Sequence, residues 1–125
     1  MHLQESGEMY LETVYILSQT KSVVRAIDVG AHMGFSKPSV SRALGLLKNG
    51  GYIAVQENGG ILLTESGRKI AERIFERHTV LTAVLTRLGV PPEIAAADAC
   101  KMEHDISEET FAALKRHIEQ FSATS

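Results

Sequence analysis

The stretch from Ala26 to Ile53 constrains this chain most, because it places a tight turn, Gly34-Phe35-Ser36, between two helical patterns. Ile27, Val29, Ala31 and Met33 supply the small and apolar residues of the first helix, and Val40, Ala43, Leu44 and Leu47 recur at helical spacing in the second. Ser36 stands where an N-cap is needed, and Pro38 falls in the first turn, where a missing N–H does no harm. The opposite face holds Lys37, Ser39, Ser41, Arg42 and Lys48, all able to donate hydrogen bonds. A short helix, a turn and a longer polar-faced helix describe a helix-turn-helix, whose second helix fits the major groove of DNA. A helical hairpin of an ordinary soluble domain is the plain alternative.

The residues that follow weigh against that alternative. Gly50-Gly51 ends the second helix, and Tyr52–Gln56 and Ile61–Thr64 read as two short strands. Between them Glu57-Asn58-Gly59-Gly60 contains an Asn-Gly step, a strong hairpin signal. A recognition helix followed by a β-hairpin is the winged form of the motif, with the hairpin beside the phosphate backbone. The expected fold is mainly α with a small β-hairpin wing: an N-terminal winged helix-turn-helix followed by a C-terminal helical lobe.

A chain of 125 residues makes one compact unit or two small lobes sharing a core. With 44% hydrophobic residues and no Trp, that core must be mostly aliphatic. No apolar run approaches the roughly 18 residues of a membrane span, and Met1–Ser6 lacks the features of a signal peptide. A single cysteine excludes an internal disulfide and suits a reducing compartment, so the expectation is a cytoplasmic protein with no membrane partner. The net charge of −2 is unevenly distributed: residues 21–77 hold nine basic and five acidic side chains, between acidic ends. A basic centre fits phosphate contact.

In chain order, Glu8–Leu17 reads as a helix with Leu11, Val14 and Tyr15 on its apolar face. Met9 and Glu12 share another face; plainly read, they are a core filler and a solvated charge. Thr64 caps a long helix expected from Glu65 to Leu88, whose first half bears Arg68, Lys69, Arg73 and Arg77 and whose second half is apolar, with His78 at the change. Pro91-Pro92 opens the next helix, which runs through Met102. Ser107-Glu108-Glu109 opens the last, with Phe111, Leu114, Ile118 and Phe121 as a stripe. That stripe is core or, in so small a lobe, is shared with a second subunit; with Leu85 it is the expected dimer contact. The expected boundary separates a DNA-binding domain, 1–72, from a metal-binding and dimerisation domain, 73–125.

Cys100, Glu103 and His104 fall at i, i+3 and i+4, which on a helix brings thiol, carboxylate and imidazole to one face. All three are good donors to first-row divalent ions. Each also has an ordinary reading: a small buried hydrophobe, a solvated acid, and a helix-ending imidazole. A Cys–His nucleophile pair would need an oxyanion pocket, and no Gly-rich turn lies near Cys100, so no enzymatic activity is expected. The readings left open are a winged-helix regulator that does not respond to metal, and a small metalloenzyme or thiol-redox protein.

Glu8-Met9-Tyr10-Leu11-Glu12-Thr13-Val14-Tyr15, Ser36-Lys37-Pro38-Ser39-Val40-Ser41, Leu63-Thr64-Glu65-Ser66-Gly67, Arg77-His78 and Asp98–His104 together resemble the diphtheria-toxin-repressor and manganese-transport-regulator family of metal-dependent bacterial repressors. The resemblance runs from about Gly7 to Phe121. It implies a repressor that binds operator DNA as a homodimer when metal is bound. It also implies that Met9, Cys100, Glu103 and His104 are metal ligands, as in the iron-responsive branch, and it adds Glu12 and His78 from the manganese branch. The manganese branch has carboxylates at the positions of Met9 and Cys100, so the set is a hybrid. The iron branch's ancillary site needs a Glu at Thr82 and a His at Ala96, and only His78 of that site is present; its SH3-like third domain would follow Ser125. Donor softness puts Fe(II) first and Mn(II) second, with Zn(II), Co(II) and Ni(II) binding in vitro. The implied DNA contacts are Ser36, Pro38, Ser39 and Arg42. Lys37, Lys48 and the wing amides at Asn58 and Gly59 are expected to grip phosphates.

Overall fold

The computed structural model describes residues 5–124, with side chains described through Gln120. The N-terminal reading at Met1–Gln4 and the place of Phe121 in the last stripe lie outside those described side chains. The chain divides into two units, one ending at Glu72 and one beginning at Arg73.

In the first unit, α1 (Glu5–Ser18) turns Tyr10, Leu11 and Val14 inward, where they meet Val29 of α2 (Ala26–Met33) and Val40, Leu44 and Leu47 of α3 (Lys37–Asn49). Val24, Ile53, Ile61 and Ala71 complete this aliphatic core. Of the four small and apolar residues of α2 named above, only Val29 is fully buried. Ile27 is 78% exposed, since residues two apart on a helix point apart and cannot share a face. The turn at Gly34 takes φ +72°, a left-handed conformation suited to glycine. After Gly50 caps α3, β1 (Ile53–Val55) pairs antiparallel with β2 (Ile61–Leu63), Val55 opposite Ile61.

The Asn58-Gly59 step does not form a two-residue turn. Gly59 N–H bonds the carbonyl of Gln56 at 2.9 Å, and Gln56 N–H bonds that of Gly60 at 2.8 Å. Among the described residues only glycines, Gly59 with φ +84° among them, take positive φ. Asn58 is therefore right-handed or extended, which excludes the type I′ turn and gives a three-residue loop closed by a left-handed glycine. Thr64 Oγ1 then accepts Gly67 N–H at 3.2 Å and caps α4 (Glu65–Arg87), which ends one residue short of the expected Leu88. Gly67 is held to glycine by packing, because a Cβ there would collide with the carbonyl oxygen of Tyr52.

In the second unit, α4 continues into α5 (Pro92–Met102) and α6 (Glu108–Thr124). Leu81, Val84, Ala95, Ala99 and Phe111 are its buried apolar residues. α5 stops at Met102, so Glu103 and His104 are not on a continuing helix as their spacing from Cys100 suggests. Ser107 Oγ accepts Thr110 N–H at 3.1 Å and starts α6.

Candidate metal centre and nucleic-acid interface

The recognition surface is built on α3. Ser36 Oγ accepts Ser39 N–H at 3.4 Å and donates to Ser39 Oγ at 2.9 Å, so both hydroxyls are fixed at the helix start. Ser36, Lys37, Pro38, Ser39, Arg42 and Lys48 are all exposed, and the 13-residue helix carries no acid. At the wing, Asn58 Oδ1 accepts Gly60 N–H at 2.8 Å, while the Asn58 carbonyl accepts Arg25 Nε–H at 3.1 Å. Arg25 thus pins the wing to the start of α2, a role invisible in sequence because its partner lies 33 residues away.

The charge argument needs correction. Arg77, counted with the phosphate-facing cations, is only 4% exposed and bonds Glu108 at 2.8 Å. Lys21, Lys69 and Arg73 also face carboxylates, of Asp28, Glu65 and Glu108. Residues 21–72 hold seven basic and four acidic side chains, so an excess of positive charge remains on this stretch, smaller than the count through Arg77 suggests.

Three of the four metal-ligand candidates of the second unit come together, with His104 beside the other oxygen of Glu103. One ligand atom each from His78, Cys100 and Glu103 lies within 4.8 Å of the others. His78 Nδ1 is 2.9 Å from Glu103 Oε2, and His104 Nε2 is 3.5 Å from Glu103 Oε1. The Glu103 side chain is 0% exposed and that of His104 1%, whereas Cys100 reaches the surface. Ligands at about 2.0–2.3 Å from an ion stand some 3–4 Å apart, so a small contraction of this cluster would suit one. The donor chemistry fits as well. A buried carboxylate favours a cation, imidazole suits most first-row ions, and the thiolate adds a soft donor. His78 belongs with Cys100 and Glu103, and Thr82 and Ala96 offer no carboxylate or imidazole for an ancillary site.

Met9 and Glu12 lie on α1, in the first unit. Met9 is half-buried and Glu12 is 7% exposed, which overturns the plain reading of Glu12 as a solvated charge. The sequence reading also missed Arg77 as an interior residue. The signal was present: Ile74, Arg77, Leu81 and Val84 recur at three- and four-residue steps, putting a cation on an apolar stripe.

Comparison with known proteins agrees with both halves. A family model described as the iron-dependent repressor N-terminal DNA-binding domain matches residues 2–61, and one for the iron-dependent repressor metal-binding and dimerisation domain matches 64–124. The transcriptional regulator MntR of Escherichia coli O6:H1 is 36% identical over 122 residues, covering 98% of this chain and 79% of that protein. MntR of Geobacillus kaustophilus is 32% identical over 102 residues, 82% of this chain and 72% of that protein. Among solved structures, IdeR of T. acidophilum superposes with a TM-score of 0.79 at 26% identity, over 98% of this chain and 55% of its own. A manganese-dependent transcriptional repressor in complex with manganese gives 0.83 at 23%, over 90% and 52%. The chain spans about half the length of these solved proteins. It belongs to the iron-dependent repressor family, the metal-dependent transcriptional repressors that include MntR.

Proposed function

We propose that this chain binds a divalent ion through His78, Cys100, Glu103 and His104 and, when loaded, binds operator DNA as a homodimer in the cytoplasm, without catalytic activity. The convergence of His78, Cys100 and Glu103 around a buried carboxylate is the observation that supports this most directly. Met9 and Glu12 are the further ligands we propose from the first unit, on the family resemblance. Bound by these donors, the ion would supply a fixed positive charge beside the buried Glu103 carboxylate. It switches the protein only if it binds the DNA-competent arrangement more tightly than the other. Moving an equilibrium from 1:99 to 99:1 takes about 10⁴-fold preference.

DNA recognition is assigned to Ser36, Pro38, Ser39 and Arg42 in the groove. Lys37, Lys48 and the wing at Asn58-Gly59 are assigned to phosphates. The thiolate of Cys100 weights the metal toward Fe(II), while relatives at 30–36% identity are named as MntR regulators, which favours Mn(II). No helix among the described residues is long and apolar enough to cross a membrane.

The deciding experiment is anaerobic: duplexes selected from a random library by metal-loaded protein are titrated with Fe(II), Mn(II), Zn(II), Co(II) and Ni(II) in turn. Specific binding that requires metal is the expected result. Binding equally tight in chelator would favour a winged-helix regulator that does not sense metal.

A further inference from the structure

Arg77 sits on the apolar stripe of α4, 4% exposed, and the cost of burying it must be offset by its partners. Its Nη1 donates to the carbonyl of Ile106 at 2.7 Å and to that of Glu103 at 3.1 Å, and its Nη2 donates to Glu108 Oε1 at 2.8 Å. The guanidinium carbon stands 5.4 Å from the centroid of the Phe111 ring. All four partners fall between Glu103 and Phe111, the segment that ends α5, turns and starts α6. The adjacent residue, His78, meets the carboxylate of the same Glu103. Two consecutive residues of α4 therefore hold Glu103, one by its backbone and one by its side chain.

We propose that Arg77 is the positioning residue of the metal centre. By fixing the backbone of Glu103 just past the end of α5, it sets the carboxylate against His78 and Cys100 and ties that geometry to the first turn of α6. A planar guanidinium bridges two carbonyls and a carboxylate while lying over a ring; a lysine ammonium supplies the charge without the fork. The inference rests on the metal reading above.

The test uses the full chain and Co(II) under anaerobic conditions. It reads affinity by competition and the thiolate-to-cobalt absorption that Cys100 would give. Arg77→Lys should weaken Co(II) binding by about 10–100-fold, the range for residues that orient ligands, and should alter that absorption. Glu108→Gln, which takes the charge from the Nη2 partner but leaves the carbonyl bonds, should give the same spectral change with a smaller loss. Wild-type affinity and spectrum in Arg77→Lys would overturn the proposal. So would weaker binding with an unaltered spectrum and a lower melting temperature, which would make Arg77 a fold residue only. Should Arg77→Lys fail to fold, an unchanged Glu108→Gln overturns the proposal and a shifted spectrum upholds it. A wild-type protein that binds no Co(II) overturns the metal reading and this inference with it, whereas normal wild-type binding with unchanged variants sinks the inference alone.

Discussion

At the scale of single residues, Glu103 is the most deeply buried acid among the described residues. Its carboxylate is fully buried between two imidazoles, and burying an ionised acid costs several kcal/mol before its partners offset it. A divalent ion there would compensate far more of that cost than contacts with the imidazoles do. Glu103→Gln should therefore act with opposite signs in two states. The metal-free protein should melt at the same temperature or higher, because the buried charge is gone. The rise in melting temperature on adding metal should vanish; for a ligand at 100 times its Kd that rise corresponds to about 2.7 kcal/mol. Thermal melts with and without Mn(II) or Co(II) measure both. A metal-induced shift equal to that of the wild type would remove Glu103 from the site. The donor types of this centre were legible in the sequence, since a thiol, an acid and an imidazole so close together are few in a chain with one cysteine. Arg77 was not read as their support, because its bonds to the turn after α5 go to backbone carbonyls, which no side-chain pattern reveals.

Elements differ in how far they announce their own ends. α3 was legible because its start and stop are local: Ser36 caps it, Pro38 sits in its first turn and Gly50 follows it. The end of α5 was not, because Cys100 through His104 contains neither Gly nor Pro. The helix stops where Arg77 holds the carbonyls of Glu103 and Ile106, a tertiary contact. On α3, Arg42→Ala should relax preference among selected duplexes by about 1–3 kcal/mol, the worth of a bidentate base contact. Lys48→Ala should weaken all duplexes alike and flatten the salt dependence. Binding across a salt series separates the two, and an Arg42→Ala variant with intact preference would displace α3 as the reader. At the start of α2, Asp28 accepts Arg25 N–H at 2.9 Å and faces Lys21, which hold its carboxyl below the usual 3.8, the backbone bond first. The charged form is thus favoured by folding. Its stabilisation is complete above the unfolded value and is lost as pH falls through the lowered one. Asp28→Asn should leave a shallower loss of stability on acidification below about pH 4 than the wild type shows, in denaturant melts across that range.

For the whole molecule the question is how two recognition helices come to act together. Phe111, expected at a dimer contact, is 7% exposed and lies under the Arg77 guanidinium, so it is already part of the interior of its own unit. Besides Phe75 and Ile94, apolar surface in the second unit lies one and two turns further along α6 and at the end of α4. Val84, Leu88, Leu114 and Ile118, with Arg87 and His117, line an open cleft of about 340 Å³, and Leu88 is 74% exposed. One exposed leucine is unremarkable by itself. A leucine at the rim of an apolar cleft, in a domain whose family model is described as one for dimerisation, is the better candidate for a self-complementary contact. Leu88→Glu should then leave each subunit folded but shift sedimentation to the monomer. Two half-sites about 34 Å apart are read jointly only while the subunits stay joined, and joining two binding modules raises overall affinity by about 10²–10⁴. The variant should therefore lose at least about 100-fold on a full operator while keeping its affinity for a single half-site. A Leu88→Glu protein that still sediments as a dimer would move the interface to another face of the second unit; a monomer that loses equally on half-site and full operator would mean that the substitution had damaged the fold rather than the pairing.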